Sequence, residues 1–142
     1  MSQPTYLACG FALGLILSSG LVFAQSLPAP HKTQGGVTYF SGGIGTDEAR
    51  AIRDDAKNHT LALEFLERQG KAIVYSSGEQ ITITDKSARV IVQAESDGPL
   101  MMVDLPAGSF QVTAINDGRS QTKSVEISPK GHTHLVFQWE AK

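Results

Sequence analysis

Ten residues near the C-terminal end constrain this chain most: Leu105-Pro106-Ala107-Gly108-Ser109-Phe110-Gln111-Val112-Thr113-Ala114. Pro106 fixes φ at about −65° and removes a backbone donor, which suits a turn. Gly108 opens dihedrals that a Cβ would close. The turn empties into strict alternation, with Phe110, Val112 and Ala114 set against Gln111 and Thr113. Side chains of period two point to opposite faces of a pleated strand, so this segment is a strand with one buried and one wetted face.

The same pattern recurs from Leu61 onwards. Leu61, Leu63 and Phe65 alternate with Ala62 and Glu64, Ile81 and Ile83 with Gln80, Thr82 and Thr84, Val90, Val92 and Ala94 with Gln93 and Glu95, Met101, Val103 and Leu105 with Asp104, and Val125 and Ile127 with Ser124 and Glu126, and Leu135, Phe137 and Trp139 close the chain. Turn residues punctuate them: Ser76-Ser77-Gly78, Asp85-Lys86-Ser87, Asp97-Gly98-Pro99, Asn116-Asp117-Gly118 and Pro129-Lys130-Gly131. Asn-Asp-Gly between alternating runs is a hairpin signal of the type I′ kind. Short strands with turns every 8–12 residues or so mark an all-β sandwich or barrel. The expectation is an all-β fold, a seven-stranded antiparallel Greek-key sandwich over residues 59–142, with one N-terminal amphipathic helix.

The helix is expected at residues 47–57. Ala49, Ile52 and Ala56 fall on one side at helical spacing, Asp47 and Glu48 suit the positive end of the helix dipole, and Thr46 is placed to cap. Before it, Val37 to Phe40 reads as a short strand running into Gly42-Gly43-Ile44-Gly45, so residues 37–58 form a glycine-rich turn and helix. Residues 25–36 hold Pro28, Pro30 and two glycines without apolar periodicity and read as a flexible tether. Leu7 to Ala24 is uncharged and apolar and ends in Val22-Phe23-Ala24 before Gln25. That is a signal-peptide pattern for residues 1–24, although no Lys or Arg precedes it. The single cysteine, Cys9, lies inside it, ahead of most of the apolar core, where a lipid-bearing cysteine does not fall. The expected location is periplasmic or secreted, with no membrane association after cleavage and no disulfide.

From Leu61 to Trp139 the chain resembles the carboxypeptidase-regulatory-like, or transthyretin-like, sandwich family. Ile81-Thr82-Ile83-Thr84-Asp85 resembles its early strand and turn, Ser96-Asp97-Gly98 its Asp-x-Gly turn, and the run from Leu105 to Ala114 its Leu-Pro-x-Gly hairpin, with Phe110 where Tyr is usual. The resemblance implies an accessory module in small exported bacterial proteins. It does not extend to the purine-pathway hydrolases of the same fold, whose Tyr-Arg-Gly-Ser ending is replaced here by Gln138-Trp139-Glu140-Ala141-Lys142.

The charge balance argues against several partners. Lys and Arg total 12 and Asp and Glu 14, a formal −2, with no basic stretch to neutralise a phosphate backbone, so nucleic acid is excluded as a partner. His132 and His134 stand two apart on a strand, on the face opposite Leu135, Phe137 and Trp139. Two imidazoles do not complete a metal site, so neither a metal nor a cofactor is expected. Gly42-Gly43-Ile44-Gly45 lacks the lysine and the spacing of a phosphate loop and is followed by Asp47 and Glu48. No serine sits in a Gly-x-Ser-x-Gly elbow, and no carboxylate pair has a cleft to act in, so no enzyme is expected. Four apolar residues in a row, Leu100 to Val103, break the alternation. Either the helix covers Leu100 and Met102 through Ile52, or they form an apolar patch; coverage by the helix is the favoured expectation. The candidate partner contacts are Gly42, Gly43, Ile44, Gly45, Leu100 and Met102. The expected function is a non-enzymatic binding or interaction module for an unidentified envelope protein. The alternative is a carbohydrate-binding module that meets a glycan through Tyr39, Phe40 or Tyr75.

Overall fold

The computed structural model describes Gly20, residues 26–33 and residues 35–142. The expected signal segment, except Gly20, lies outside the described residues. In chain order the elements are β1 (His31–Lys32), β2 (Thr38–Gly42), α1 (Thr46–Asp55) with a 3₁₀ turn at Ala56–Asn58, β3 (Leu61–Gln69), β4 (Ala72–Tyr75), β5 (Gln80–Asp85), β6 (Val90–Glu95), β7 (Leu100–Asp104), β8 (Gly108–Asn116), β9 (Arg119–Ile127) and β10 (Thr133–Glu140).

They form two sheets. The larger has the order β1-β2-β7-β3-β10, and β4 pairs with the second half of β3, beyond the stretch that β7 uses. The smaller has the order β6-β5-β8-β9. Inward rows from both merge into one apolar core holding Leu63, Phe65, Met101 and Phe137 from the first sheet and Ile81, Ile83, Val112 and Val125 from the second. The alternation read from the sequence therefore marks a true inner face in each sheet.

Three expectations need correction. The described residues hold ten strands, not seven, because β1, β2 and β4 extend the first sheet. The sheets are not wholly antiparallel. β10 runs parallel to β3 over its whole length, from Thr133 opposite Leu61 to Glu140 opposite Arg68. Parallel neighbours need a long crossover, and here everything between β4 and β9 supplies it, a relation that no local pattern encodes. Val90, expected inward, is 57% exposed. The β5–β6 register slips between Ile83 and Thr84, whose partners are Val92 and Val90, and the extra residue turns the strand end outward.

The turns follow their residues. Asp117 and Gly118 both have positive φ, 48° and 76°, as the type I′ turn joining β8 to β9 requires. The Asp85 carboxylate accepts the N–H of Ser87 at 2.8 Å and that of Arg89 at 3.1 Å, which closes the β5–β6 turn.

Candidate functional site

The outer face of the first sheet, around β7, carries the features that the sandwich core does not explain. Strict alternation on β7 would leave Leu100 and Met102 in water. Instead they are 2% exposed, packed with Phe40, Ala62, Ala49 and the fully buried Ile52. β7 is thus buried on both faces, by the sandwich core beneath and by α1 above. Of the candidate partner contacts, Leu100 and Met102 keep little open surface, because the helix covers most of it.

The loop leading into α1 is built by exclusion of side chains. A Cβ on Gly42 would lie 2.5 Å from the Glu48 carboxylate and 2.9 Å from the Pro28 ring, and one on Gly98 would collide with the Gly42 carbonyl oxygen. Gly43 and Gly45 have φ of 98° and 95°, conformations that L side chains rarely adopt. Gly45, not Thr46, occupies the N-cap position and makes no side-chain cap bond, so the expected capping role of Thr46 is corrected. Between these glycines Ile44 stands 68% exposed. Gly42 and Gly43 are buried, and Gly45 is exposed beside Ile44.

A latch holds the other end of the helix. His59 Nε2 lies 2.7 Å from the Asp55 carboxylate of α1, and its Nδ1 lies 3.0 and 3.1 Å from the two oxygens of Asp104 on β7. A neutral imidazole has one N–H and one lone pair, so a ring with both nitrogens against carboxylates is held as imidazolium. Burial pulls the His59 pKa down, but the hydrogen bonds it donates to Asp55 and Asp104 and their charges leave it above its usual value of 6.5. Asn58 and His59 hold the Asp55 carboxyl below its ordinary range. The Phe40 ring meets His59 edge-on, with centroids 5.1 Å apart.

Between α1, β3, β7 and β10 lies a hollow of about 190 Å³. Its floor is apolar, made by Ala56, Ala62, Leu100 and Met102, and Arg53, Glu64, His132 and His134 stand around it. Glu64 receives the Arg53 guanidinium at 3.4 Å and His134 Nε2 at 3.1 Å. His132 is turned aside, its Nδ1 2.8 Å from the His59 carbonyl. Among the described residues no group of three or more His, Cys, Asp or Glu side chains is placed to hold a metal ion. A larger hollow of about 500 Å³ lies beside Asp85 and Glu126 on the second sheet. Its carboxylates are engaged, Asp85 by Arg89 at 3.0 Å and Glu126 by the Ser109 hydroxyl, and its walls also include the core residues Phe110 and Val125.

No family model matches the chain, and no curated protein resembles it. Among solved structures the chain is similar to GBS52, the minor pilin of the gram-positive pathogen Streptococcus agalactiae, at 14% identity and a TM-score of 0.47. The likeness covers 56% of this chain and 43% of that one, so the chain spans less than half of the pilin.

Three aromatic residues were candidates for a glycan platform. Phe40 is buried, the Tyr39 ring stacks on His31 at 5.4 Å, and Tyr75, half exposed, has the Arg53 guanidinium over one face of its ring at 5.0 Å. The sequence reading missed Glu64 and Arg53 as neighbours of the histidines. The signal was present in the β3–β10 register only, which sets Glu64 opposite Val136, next but one to His134.

Proposed function

We propose that the protein is a non-enzymatic, exported binding or interaction module of carboxypeptidase-regulatory-like type, acting in the periplasm or outside the cell. The observation that carries this reading is the loop from Gly42 to Gly45. Three of its four residues are glycines with a packing or dihedral reason to be so, and the fourth, Ile44, is the most exposed large apolar residue described, at 68%. A rigid loop that presents an apolar side chain binds a partner without the entropy cost of ordering it. The exposed Asp47 beside it favours a partner with a basic rim around an apolar recess. A signal segment cleaved after Ala24 would deliver the module to the envelope.

The test is a photo-crosslinking residue placed at position 44, compared with one at Thr122 on the outer face of the second sheet. In cells of the source organism the account expects a discrete adduct from position 44 and none from position 122. Equal labelling from both positions would remove the loop as the contact.

A further inference from the structure

We propose that the hollow beside α1 binds a small apolar carboxylate, a body about the size of one leucine side chain ending in a carboxylate. The proposal rests on the reading of the protein as a binding module and names a ligand class for it. Size comes first. The hollow, at about 190 Å³, is somewhat larger than the cavities of about 150 Å³ that take up benzene. It holds one branched or aromatic side chain and little more. The side chains of Ala62, Leu100 and Met102 offer that body carbon and sulfur, beside the backbone of Leu63, whose own side chain lies in the sandwich core. An apolar recess with a few convergent polar groups at its mouth is the usual form of a small-molecule site.

Charge decides the other end. Glu64 is the one acid lining the hollow, and both its oxygens are engaged, one by Arg53 and one by His134. An incoming ammonium would have to displace one of them. An incoming carboxylate meets donors instead. Arg53 spends one N–H on Glu64 at a long 3.4 Å and keeps its other guanidinium donors. Its contact with the Tyr75 ring, at 5.0 Å, limits the tilt of the guanidinium plane. The Arg53 side chain is 44% exposed and that of His134 49%, so the mouth is open to solvent while the floor is closed. A guanidinium at the mouth of an apolar recess is suited to bidentate capture of a carboxylate.

Two sources could supply this chemistry: a free short-chain acid, or the C-terminal residue of a partner peptide. The experiment follows backbone amides of the purified protein by NMR during titration with 4-methylpentanoate and, separately, with N-acetyl-leucine. The amide 4-methylpentanamide and the amine 4-methylpentylamine are the controls. The expected result is saturable shifts at Ala62, Glu64 and Met102 but not at Thr122, with affinity on the order of 1 mM for so small a ligand. The neutral and cationic controls should bind at least about tenfold more weakly. Arg53→Gln should weaken the acid by about tenfold, and Ala56→Leu, which fills the recess, should abolish binding of every probe. Binding of N-acetyl-leucine as well as the free acid assigns the site to peptide C-termini; binding of the free acid alone assigns it to small acids. No saturable shift with either acid, or equal binding of the amine, overturns the proposal. The crosslink at position 44 does not involve this hollow, so the module reading stands or falls separately.

Discussion

Glu79 is completely buried, and among the described residues no cation pairs with it. Its carboxylate is met by hydroxyls and an amide: Ser96 Oγ at 2.6 Å, Ser76 Oγ, and Asn116 Nδ2 at 3.2 Å. Ser96 Oγ in turn accepts the N–H groups of Gly78 and Glu79 at 3.1 and 3.0 Å. One side chain thus pins three connections, those after β4, after β6 and at the end of β8. Removing it strands buried donors at about 1–3 kcal/mol each, so Glu79→Ala should lower unfolding stability by about 3 kcal/mol in urea titration. A loss below about 0.5 kcal/mol would contradict the network. None of this was legible in the sequence, where Ser76-Ser77-Gly78-Glu79 reads as an ordinary wetted turn. Ser76 is a local partner, but Ser96 and Asn116 lie 17 and 37 residues away and only the fold assembles them. The backbone approach of Gly98 to Gly42 is equally non-local. Gly98→Ala should cost more than about 2 kcal/mol, because the Cβ meets a carbonyl oxygen that cannot move without displacing the loop. A variant that melts within a degree or so of the parent would refute that contact.

Among the elements, α1 owes its place to two contacts with the first sheet besides the Arg53–Glu64 pair. Ile52 is fully buried against Leu100 and Met102, so Ile52→Asp should lower the melting temperature sharply by placing a charge in an apolar seam, a loss of about 3 kcal/mol or more. This contact was legible, since the failed alternation at Leu100 to Val103 and the stripe of Ala49, Ile52 and Ala56 called for each other. The second contact was not. Nothing local to His59 points to Asp104, and only the pairing of β3 with β7 brings the two together. Its pH signature follows from the two shifts. His59 is raised, so its contribution is full below its ordinary value of 6.5 and drains away as pH climbs through the raised value. Asp55 is lowered, so its share is lost only as pH falls through the depressed value. The melting temperature of the parent should therefore exceed that of His59→Gln most at about pH 6, by the equivalent of about 1 kcal/mol for a half-open site, and the gap should close towards about pH 9. Parallel curves across that range would show that the latch carries no charge-dependent stability.

The whole molecule is two sheets joined along one side by side chains. Gln121 Nε2 donates to the Gln138 carbonyl at 2.7 Å, Trp139 Nε1 donates to the Arg119 carbonyl at 3.1 Å, and the Arg119 guanidinium donates to the Glu140 carbonyl, so β9 and β10 close the gap that no ladder bridges. Trp139→Phe removes one of these bonds while keeping most of the ring; it should cost about 1–2 kcal/mol by denaturant titration, and no loss would mean that the seam is idle. The inner faces were readable because period-two alternation registers a one-sided environment residue by residue. The strand count, the parallel β3–β10 pair and the hollow were not, because they depend on which strands become neighbours. The central claim is that α1 is docked on the outer face of this sandwich and completes a site there. Residue-resolved hydrogen exchange, run on the parent and on Ile52→Asp, tests it most directly. The account predicts amides of residues 49–55 protected in the parent and released in the variant, with β5 and β8 equally slow in both. An unprotected helix in the parent, or a helix whose exchange ignores the substitution, would contradict it.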